Sequence, residues 1–373
     1  MSPTAYRHYA WPVSPYSAKT RAYLRYKALP FEEIQPSALH LASAIKSAVG
    51  RMVMPTLLTP QGGWLQDSSE IIDTLERMHP ELSITPEGPT QRLASSLLEL
   101  HGDEWLPIVA MHTRWNVPQN TRFAEEEFGR YAFPWLPLFI AKRLARPFAQ
   151  KMRGYRPSLG ITDETRAGIE RFAKSLIAQL ESHFSDGYEF LFGGRPSLGD
   201  FSLYGPLWAH VYRDPGTSAW FSEAPNVEAW FERLQGQPHP ERGDFLSDDH
   251  VPETLDPIFR TLFSEQFSFI TRLVDAIERY CVQHPQATRV PRSLGDTPFV
   301  IGGDQGVRKL ITFTQWMAQR PLDIYHSLAP STRVEVDLWL ERVGGREAMQ
   351  LRIKHRFARR DFKMGLETAP HGV

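Results

Sequence analysis

Ser14 stands between Pro12 and Pro15, directly before a run rich in helix formers, Tyr16 to Ala28. A hydroxyl just outside a helix start has two uses. It can cap the helix by accepting from a free backbone N–H of the first turn. It can also donate to a thiolate at the positive end of the helix dipole, lowering the thiol's pKa by favouring its charged form. Further along, Asp67-Ser68-Ser69-Glu70 reads as a capping box followed by Ile71, Ile72, Leu75 and Met78 at helical spacing. Such a start can hold an α-amino acid, with N–H groups and Ser68 for the carboxylate and Asp67 for the ammonium. An ordinary helix cap is the alternative at both places.

These two starts need a frame that brings them together. Tyr6 to Ala10 carries strand-type residues, and Pro12 and Pro15 break the run before the helix. Pro15 suits the first helical turn, where its missing N–H costs nothing. Thr56 to Thr59 is a short β-prone run, Gln61-Gly62-Gly63 is a turn signal and Trp64-Leu65 begins a partner strand, so a hairpin is expected. Pro55 opens its first strand, where no ladder bond is lost. Met54–Pro55 is also the one kind of peptide bond that adopts cis at low cost.

In this order, Trp11-Pro-Val-Ser14-Pro15-Tyr16, Met54-Pro55 and Asp67-Ser68 resemble the glutathione transferases. The first piece is similar to the plant tau class and, with Ser in place of Cys, to the omega class. The resemblance implies a thioredoxin-like N-terminal domain (βαβαββα) that takes glutathione as co-substrate. By that likeness Ser14 stabilises the glutathione thiolate, Met54 pairs through its backbone with the cysteinyl part, Pro55 is the cis-proline, and Asp67 with Ser68 binds the γ-glutamyl end. Gly50-Arg-Met-Val-Met-Pro55 is a looser version of the family's Gly-Lys-Val-Pro, and Arg51 is its candidate for the glycyl carboxylate. Asp67 stands where Glu is commoner, which shortens the acid's reach. A Ser at position 14 disfavours mixed-disulfide chemistry, which needs a thiol.

A second stretch of likeness follows. Ile169, Phe172, Leu176, Leu180 and Phe184 form one helical stripe, read as a core helix. Phe190-Leu-Phe-Gly-Gly-Arg-Pro-Ser197-Leu-Gly-Asp200-Phe201 and Ala224-Pro-Asn-Val-Glu-Ala-Trp230 resemble the family's all-helical second domain. There Ser197 and Asp200 would form the capping box of a buried helix, a role in folding rather than chemistry. The likeness spans residues 4–240. It implies an α/β plus all-α architecture: a thioredoxin-like domain over 1–84, a helical C-terminal domain over 90–240, and a mainly helical extension over 245–373.

Whole-chain properties agree. A chain of 373 residues is too long for one typical core. With 42 basic and 43 acidic residues, bulk charge argues against a nucleic-acid partner. Cys281 is the single cysteine, which excludes an internal disulfide and Cys-rich zinc sites and suits a reducing compartment. No metal is expected. The first residues lack a signal-peptide pattern and no run reaches the ~20 apolar residues of a membrane span, so a cytoplasmic protein is expected. His101, Glu104 and His112 lack the spacing and thiols of a metal site.

The middle and the tail are less regular. Phe133-Pro-Trp-Leu-Pro-Leu-Phe-Ile140 precedes Lys142, Arg143, Arg146, Lys151, Arg153 and Arg156. This is either a membrane-surface segment or a helix with one buried face and solvated cations. Pro252 to His284 reads as an amphipathic helix of many turns, followed by a loop through Gly303 and helices around Val307 to Leu328 and Arg333 to Val343. Leu351 to Arg360 is basic, ambiguous between strand and helix, and suited to a partner-docking strip or to anionic ligands.

Two functions follow. In the first, a transferase, a small hydrophobic electrophile enters near Trp105, Tyr204 and Trp208 and is attacked by the thiolate at Ser14; a homodimer is the family's usual form. In the second, a non-catalytic adaptor like the metaxin and failed-axon relatives, the extension recruits a partner. The first requires Ser14 to face Asp67 and Ser68 with nothing between them. A side chain from the extension lodged in that gap leaves the architecture without the chemistry.

Overall fold

The computed structural model of the chain describes residues 5–236 and 243–367. The expected end of the second unit, at residue 240, lies outside the described residues. The N-terminal elements run β1 (Tyr6–Tyr9), α1 (Pro15–Tyr26), β2 (Phe31–Ile34), α2 (Ala38–His40), which continues through a π-helical turn into α3 (Lys46–Val49), then β3 (Thr56–Leu58), β4 (Trp64–Gln66) and α4 (Ser68–Met78). The sheet order is β2-β1-β3-β4, with β1 parallel to β2 and the other pairs antiparallel. This is the thioredoxin-like arrangement expected from the sequence. Period-two alternation buries Tyr6 and His8 of β1, and α1 and α4 share the core through Ala18, Ala22, Tyr23, Ile71, Ile72 and Leu75.

A helical unit follows: α5 (Pro89–Glu104), α6 (Leu106–Asn116), α7 (Pro118–Ala132), α8 (Leu138–Arg153), α9 (Arg166–Ser185), α10 (Leu198–Pro206) and α11 (Pro225–Gln235). Two glycines set how closely these helices approach. A Cβ on Gly102 would fall 2.3 Å from the Ser202 carbonyl oxygen, and one on Gly205 would fall 2.6 Å from the Pro15 carbonyl oxygen. The helix α10 therefore lies against both α5 and the first turn of α1. Its own start is the capping box of Ser197 and Asp200. The Asp200 carboxylate also accepts from the Leu191 N–H and Trp230 Nε1, each at 3.0 Å. It is fully buried, and burial pushes its pKa up to about 6.

The rest of the chain is α12 (Asp256–Thr261), a π-helical segment, α13 (Ser268–Gln283), the hairpin β5 (Ser293–Ile301) and β6 (Asp304–Ile311), α14 (Phe313–His326), α15 (Pro330–Arg342), and the hairpin β7 (Phe357–Arg360) and β8 (Lys363–Leu366). The extension is thus mixed helical, and two of its expected elements need correction. Residues expected as a loop through Gly303 and as the start of a helix at Val307 pair as β5 and β6. The reason is an inverted polarity: β6 buries Arg308 and leaves Val307 54% exposed. The Arg308 guanidinium lies 4.1 Å from the Phe269 ring centroid and 5.1 Å from that of Trp105, so aromatic faces replace a carboxylate partner. Of the basic tail segment Leu351 to Arg360, the last four residues form a strand, β7, and none of it is helical.

Replacing Asp200 with Ala removes the reciprocal half of the α10 capping box and leaves the Ser197 N–H, the Leu191 N–H and Trp230 Nε1 buried without that acceptor. Equilibrium unfolding in urea should show a loss of about 3 kcal/mol; a loss within the ordinary range of surface substitutions contradicts this account.

Candidate functional site

Ser14 is the N-cap of α1, with extended backbone (φ −92°, ψ 124°), and its Oγ accepts from the Ser17 N–H at 3.2 Å. The loop before it is held from two sides. Arg114, buried on α6 and paired bidentately with Asp214, donates from Nη1 to the Val13 carbonyl at 2.6 Å. Trp11 Nε1 donates to the Pro36 carbonyl at 2.8 Å. The Ser14 hydroxyl is therefore fixed at the helix start, and in this structure it serves as the cap.

The second start lies at the end of the β3–β4 hairpin, which Pro55 opens with a cis Met54–Pro55 peptide. Asp67 has φ +86°, a region that L-residues with a Cβ enter only at a cost of about 1–3 kcal/mol. That turn aims its carboxylate over the first turn of α4, where Oδ1 accepts from the Ser69 N–H at 3.1 Å. Ser68 is the first residue of α4 and is buried. Glu70 does not complete a reciprocal capping box; its carboxylate faces Arg359 instead, at 3.5 Å.

Between the two starts lies a buried polar cluster that the sequence reading missed. Lys19 of α1 reaches Asp103 Oδ2 at 2.6 Å, Glu99 Oε1 at 3.1 Å and Ser69 Oγ at 3.5 Å. Burial opposes the Lys19 charge, but Asp103 and Glu99 outweigh it and raise its pKa. Burial likewise opposes the Glu99 charge, and there Arg320 with Lys19 prevails and holds the carboxyl below its ordinary range. The available signal was the i, i+4 spacing of Glu99 and Asp103 inside an otherwise apolar helix pattern.

Arg359 of β7 reaches the start of α4. Its guanidinium lies 3.0 Å from Asp67 Oδ2 and 3.5 Å from Glu70 Oε1, and donates to Gln66 Oε1 at 2.7 Å. It stacks at 5.4 Å from the Trp316 ring centroid and is 5% exposed. At the hairpin tip, Asp361 (φ +49°) and Phe362 (φ +60°) form the two-residue turn that right-twisted strands favour. An aromatic residue at positive φ is an uncommon choice. Its carbonyl accepts from Arg51, and its ring joins the apolar cluster that takes in Trp11, Val13, Val53 and Met54. Arg51, the candidate for a glycyl carboxylate, thus holds a backbone oxygen of the extension.

The side chains expected around an electrophile are packed elsewhere. Trp105 is core, against Phe269, Phe299 and Arg308. Tyr204 is buried and stacks on Trp208 at 5.6 Å. Among the described residues a cavity of about 240 Å³ is lined by His101, Phe172, Leu176, Glu265 and others, and by none of Ser14, Arg51, Met54, Pro55, Asp67 or Ser68. His101, Glu104 and His112 turn to Gln266, Thr314 and Glu170 respectively. No cluster of three potential metal ligands occurs among the described residues.

Comparison with known proteins places this geometry. Residues 9–83 match the family model of the glutathione S-transferase N-terminal domain and residues 163–233 that of the C-terminal domain. The chain is similar to a glutathione S-transferase of Methylobacterium radiotolerans solved with glutathione sulfonate (22% identity, 65% of this chain and 100% of that one, TM-score 0.39). It is also similar to the beta-etherase LigF of Sphingobium sp. strain SYK-6 (21%, 64% and 96%, 0.42) and to FzlA of C. crescentus (18%, 67% and 96%, 0.40). At these identities and scores none of the three bears on chemistry. No curated protein matches the sequence.

Arg359→Ala leaves Asp67 and Glu70 without their cation, and unfolding at neutral pH should show a loss of about 2 kcal/mol. Burial raises both carboxyls, so the native state keeps their protons to higher pH than the unfolded chain does. Stability therefore falls as pH climbs from about 4 through their folded pKa values, and removing Arg359 steepens that fall. The gap between variant and wild type should be widest at neutral pH and close in acid; a gap independent of pH removes the ion pair from the account.

Proposed function

Because the chain belongs to the glutathione S-transferase superfamily through both of its domains, we propose that it is a non-catalytic member whose tripeptide site is occupied by its own C-terminal hairpin. The single observation that carries this is Arg359. By the family likeness the Asp67 carboxylate receives the γ-glutamyl ammonium; here a guanidinium stands 3.0 Å from it, with Glu70 and Gln66 completing its surroundings. Phe362 and its contact with Arg51 extend the same hairpin over the neighbouring ground, where the likeness puts the rest of the tripeptide. The Ser14 hydroxyl acts as a cap, and of the side chains expected to meet an electrophile Trp105 and Tyr204 are core and Trp208 is partly buried against it. This favours a docking platform, with the extension as an integral part of the body that a partner meets.

A second reading is a transferase that becomes competent when the hairpin lifts. It is favoured by the two helix starts themselves, since Ser14 and Asp67 with Ser68 stand at the N-termini of α1 and α4, where free backbone donors suit anionic groups. In that state Ser14 stabilises a thiolate, Met54 and Asp67 with Ser68 position glutathione, and a hydrophobic electrophile is the second substrate.

Calorimetric titration together with a turnover assay separates the two. The wild-type protein should give no binding heat with glutathione up to about 10 mM, an order of magnitude above ordinary KM values. Binding in the sub-millimolar range overturns the platform reading. Gained binding by the Arg359→Ala variant is expected on both readings, since both place the hairpin over the tripeptide site. Conjugation of glutathione to an electrophile by that variant, lost again on Ser14→Ala, supports the second reading, and binding without turnover supports the first.

A further inference from the structure

We propose that α8 and the turn before it form a docking surface for an anionic lipid bilayer. The inference concerns a face apart from the closed site and stands independently of it. The helix α8 packs on α7 through small side chains: Ala141, Ala145 and Ala149 are buried. The approach is close, since a Cβ on Gly129 of α7 would fall 2.8 Å from the Lys142 nitrogen. The alanines, with Phe133, Phe148 and Met152 partly buried beside them, do the packing, and a group of large apolar residues at the N-terminal end of the segment is left outside it. Trp135 is 55% exposed, Phe139 75% and Leu144 47%, with Leu138 and Ile140 exposed beside them. Large exposed apolar side chains gathered on one short segment mark an interaction site, whereas scattered ones do not.

The charge of the same segment names the partner. No acidic residue occurs between Glu127 and Asp163, and α8 carries Lys142, Arg143, Arg146, Lys151 and Arg153. Lys142 pairs with Glu126; among the described residues none of the other four sits in an ion pair. Four-residue steps put Phe139, Arg143, Pro147 and Lys151 on the outward face. Apolar residues lead at the N-terminal end of that face and cations follow along it. A surface that is anionic outside and apolar a few ångströms below complements this order: Trp135 and Phe139 enter the headgroup boundary while the cations stay at the lipid phosphates. An acidic protein would satisfy the cations and leave the aromatic tip without purpose. No described helix is long and apolar enough to cross a membrane, so the segment lies on the bilayer.

Flotation of the full chain with vesicles tests this. Vesicles of phosphatidylcholine with phosphatidylserine should bind the protein at least about tenfold more strongly than phosphatidylcholine alone, and added salt should weaken the binding. The Arg143→Glu, Lys151→Glu double variant and the Phe139→Ser variant should each lose that binding about tenfold or more while keeping the wild-type circular dichroism and melting temperature. No preference for anionic vesicles overturns the proposal. So does a wild-type dimer in light scattering that Phe139→Ser converts to monomer with vesicle binding unchanged, since the patch is then an interface between copies of this chain.

Discussion

Charges taken out of water must be paired, and in this protein the pairing requirement ties its three regions into one body. Lys19 on α1 is met by Glu99 and Asp103 on α5, and that leaves more negative than positive charge in a dry place. The remainder is balanced from the extension. Arg320 on α14 donates from Nε to Glu99 at 2.7 Å and forms a two-point contact with Asp73 of α4 at 2.6 and 2.9 Å. A planar guanidinium suits this task, because it can bridge a bidentate carboxylate and a second one at fixed angles. The extension therefore supplies a counter-charge that the transferase-like part lacks on its own.

The same helix then carries the closure. Residues Gln315, Gln319 and Asp323 stand at four-residue steps on α14. Gln315 donates to the His355 carbonyl, and the Gln319 amide both donates to the Phe357 carbonyl and accepts from its N–H, at 2.9 and 2.8 Å. Asp323 takes Arg356 bidentately. These contacts fix β7 in register, and with Trp316 under its guanidinium Arg359 has one direction left, toward Asp67. A strand of four residues paired with only one other has little stability of its own; α14 gives it a defined place.

What the sequence disclosed and what it withheld differ in kind. Local signals were legible: the strand–Pro–helix step at Ser14, the hairpin at Pro55, the helix start at Asp67 and the Ser197–Asp200 cap all depend on residues within a few positions of one another. The residues that decide the state of the site are distant in the chain. Lys19 and Glu99 lie in helix interiors and read as ordinary polar positions, and Arg359 lies in a basic run that suits a solvated tail equally well. In β6 the usual alternation is inverted, with Arg308 inside on aromatic faces and Val307 outside, so hydrophobic periodicity points the wrong way. For α8 the sequence left two readings open. The structure shows a buried face built from alanines, with Phe148 and Met152 partly buried beside it and Trp135, Leu138, Phe139, Ile140 and Leu144 exposed.

Closure by a tethered group changes what a free ligand must do. An intramolecular segment presents its binding group at an effective concentration of millimolar order or above, without the loss of translational freedom that a separate molecule incurs. Glutathione entering beside Asp67 would have to displace a guanidinium that is 5% exposed and faces two carboxylates and the Gln66 side chain, and to move Phe362 out of an apolar cluster. It would offer one ammonium in return to Asp67, leaving Glu70 to find another cation or to take up a proton. On the proposed reading the chain's own hairpin holds its place for as long as α14 stays docked on α4 and α5, and α14 is held there by the Arg320 pairing that neutralises Glu99. The state of the site and the integrity of the buried charge network are thus one property. A partner that loosened α14 would open the first by disturbing the second.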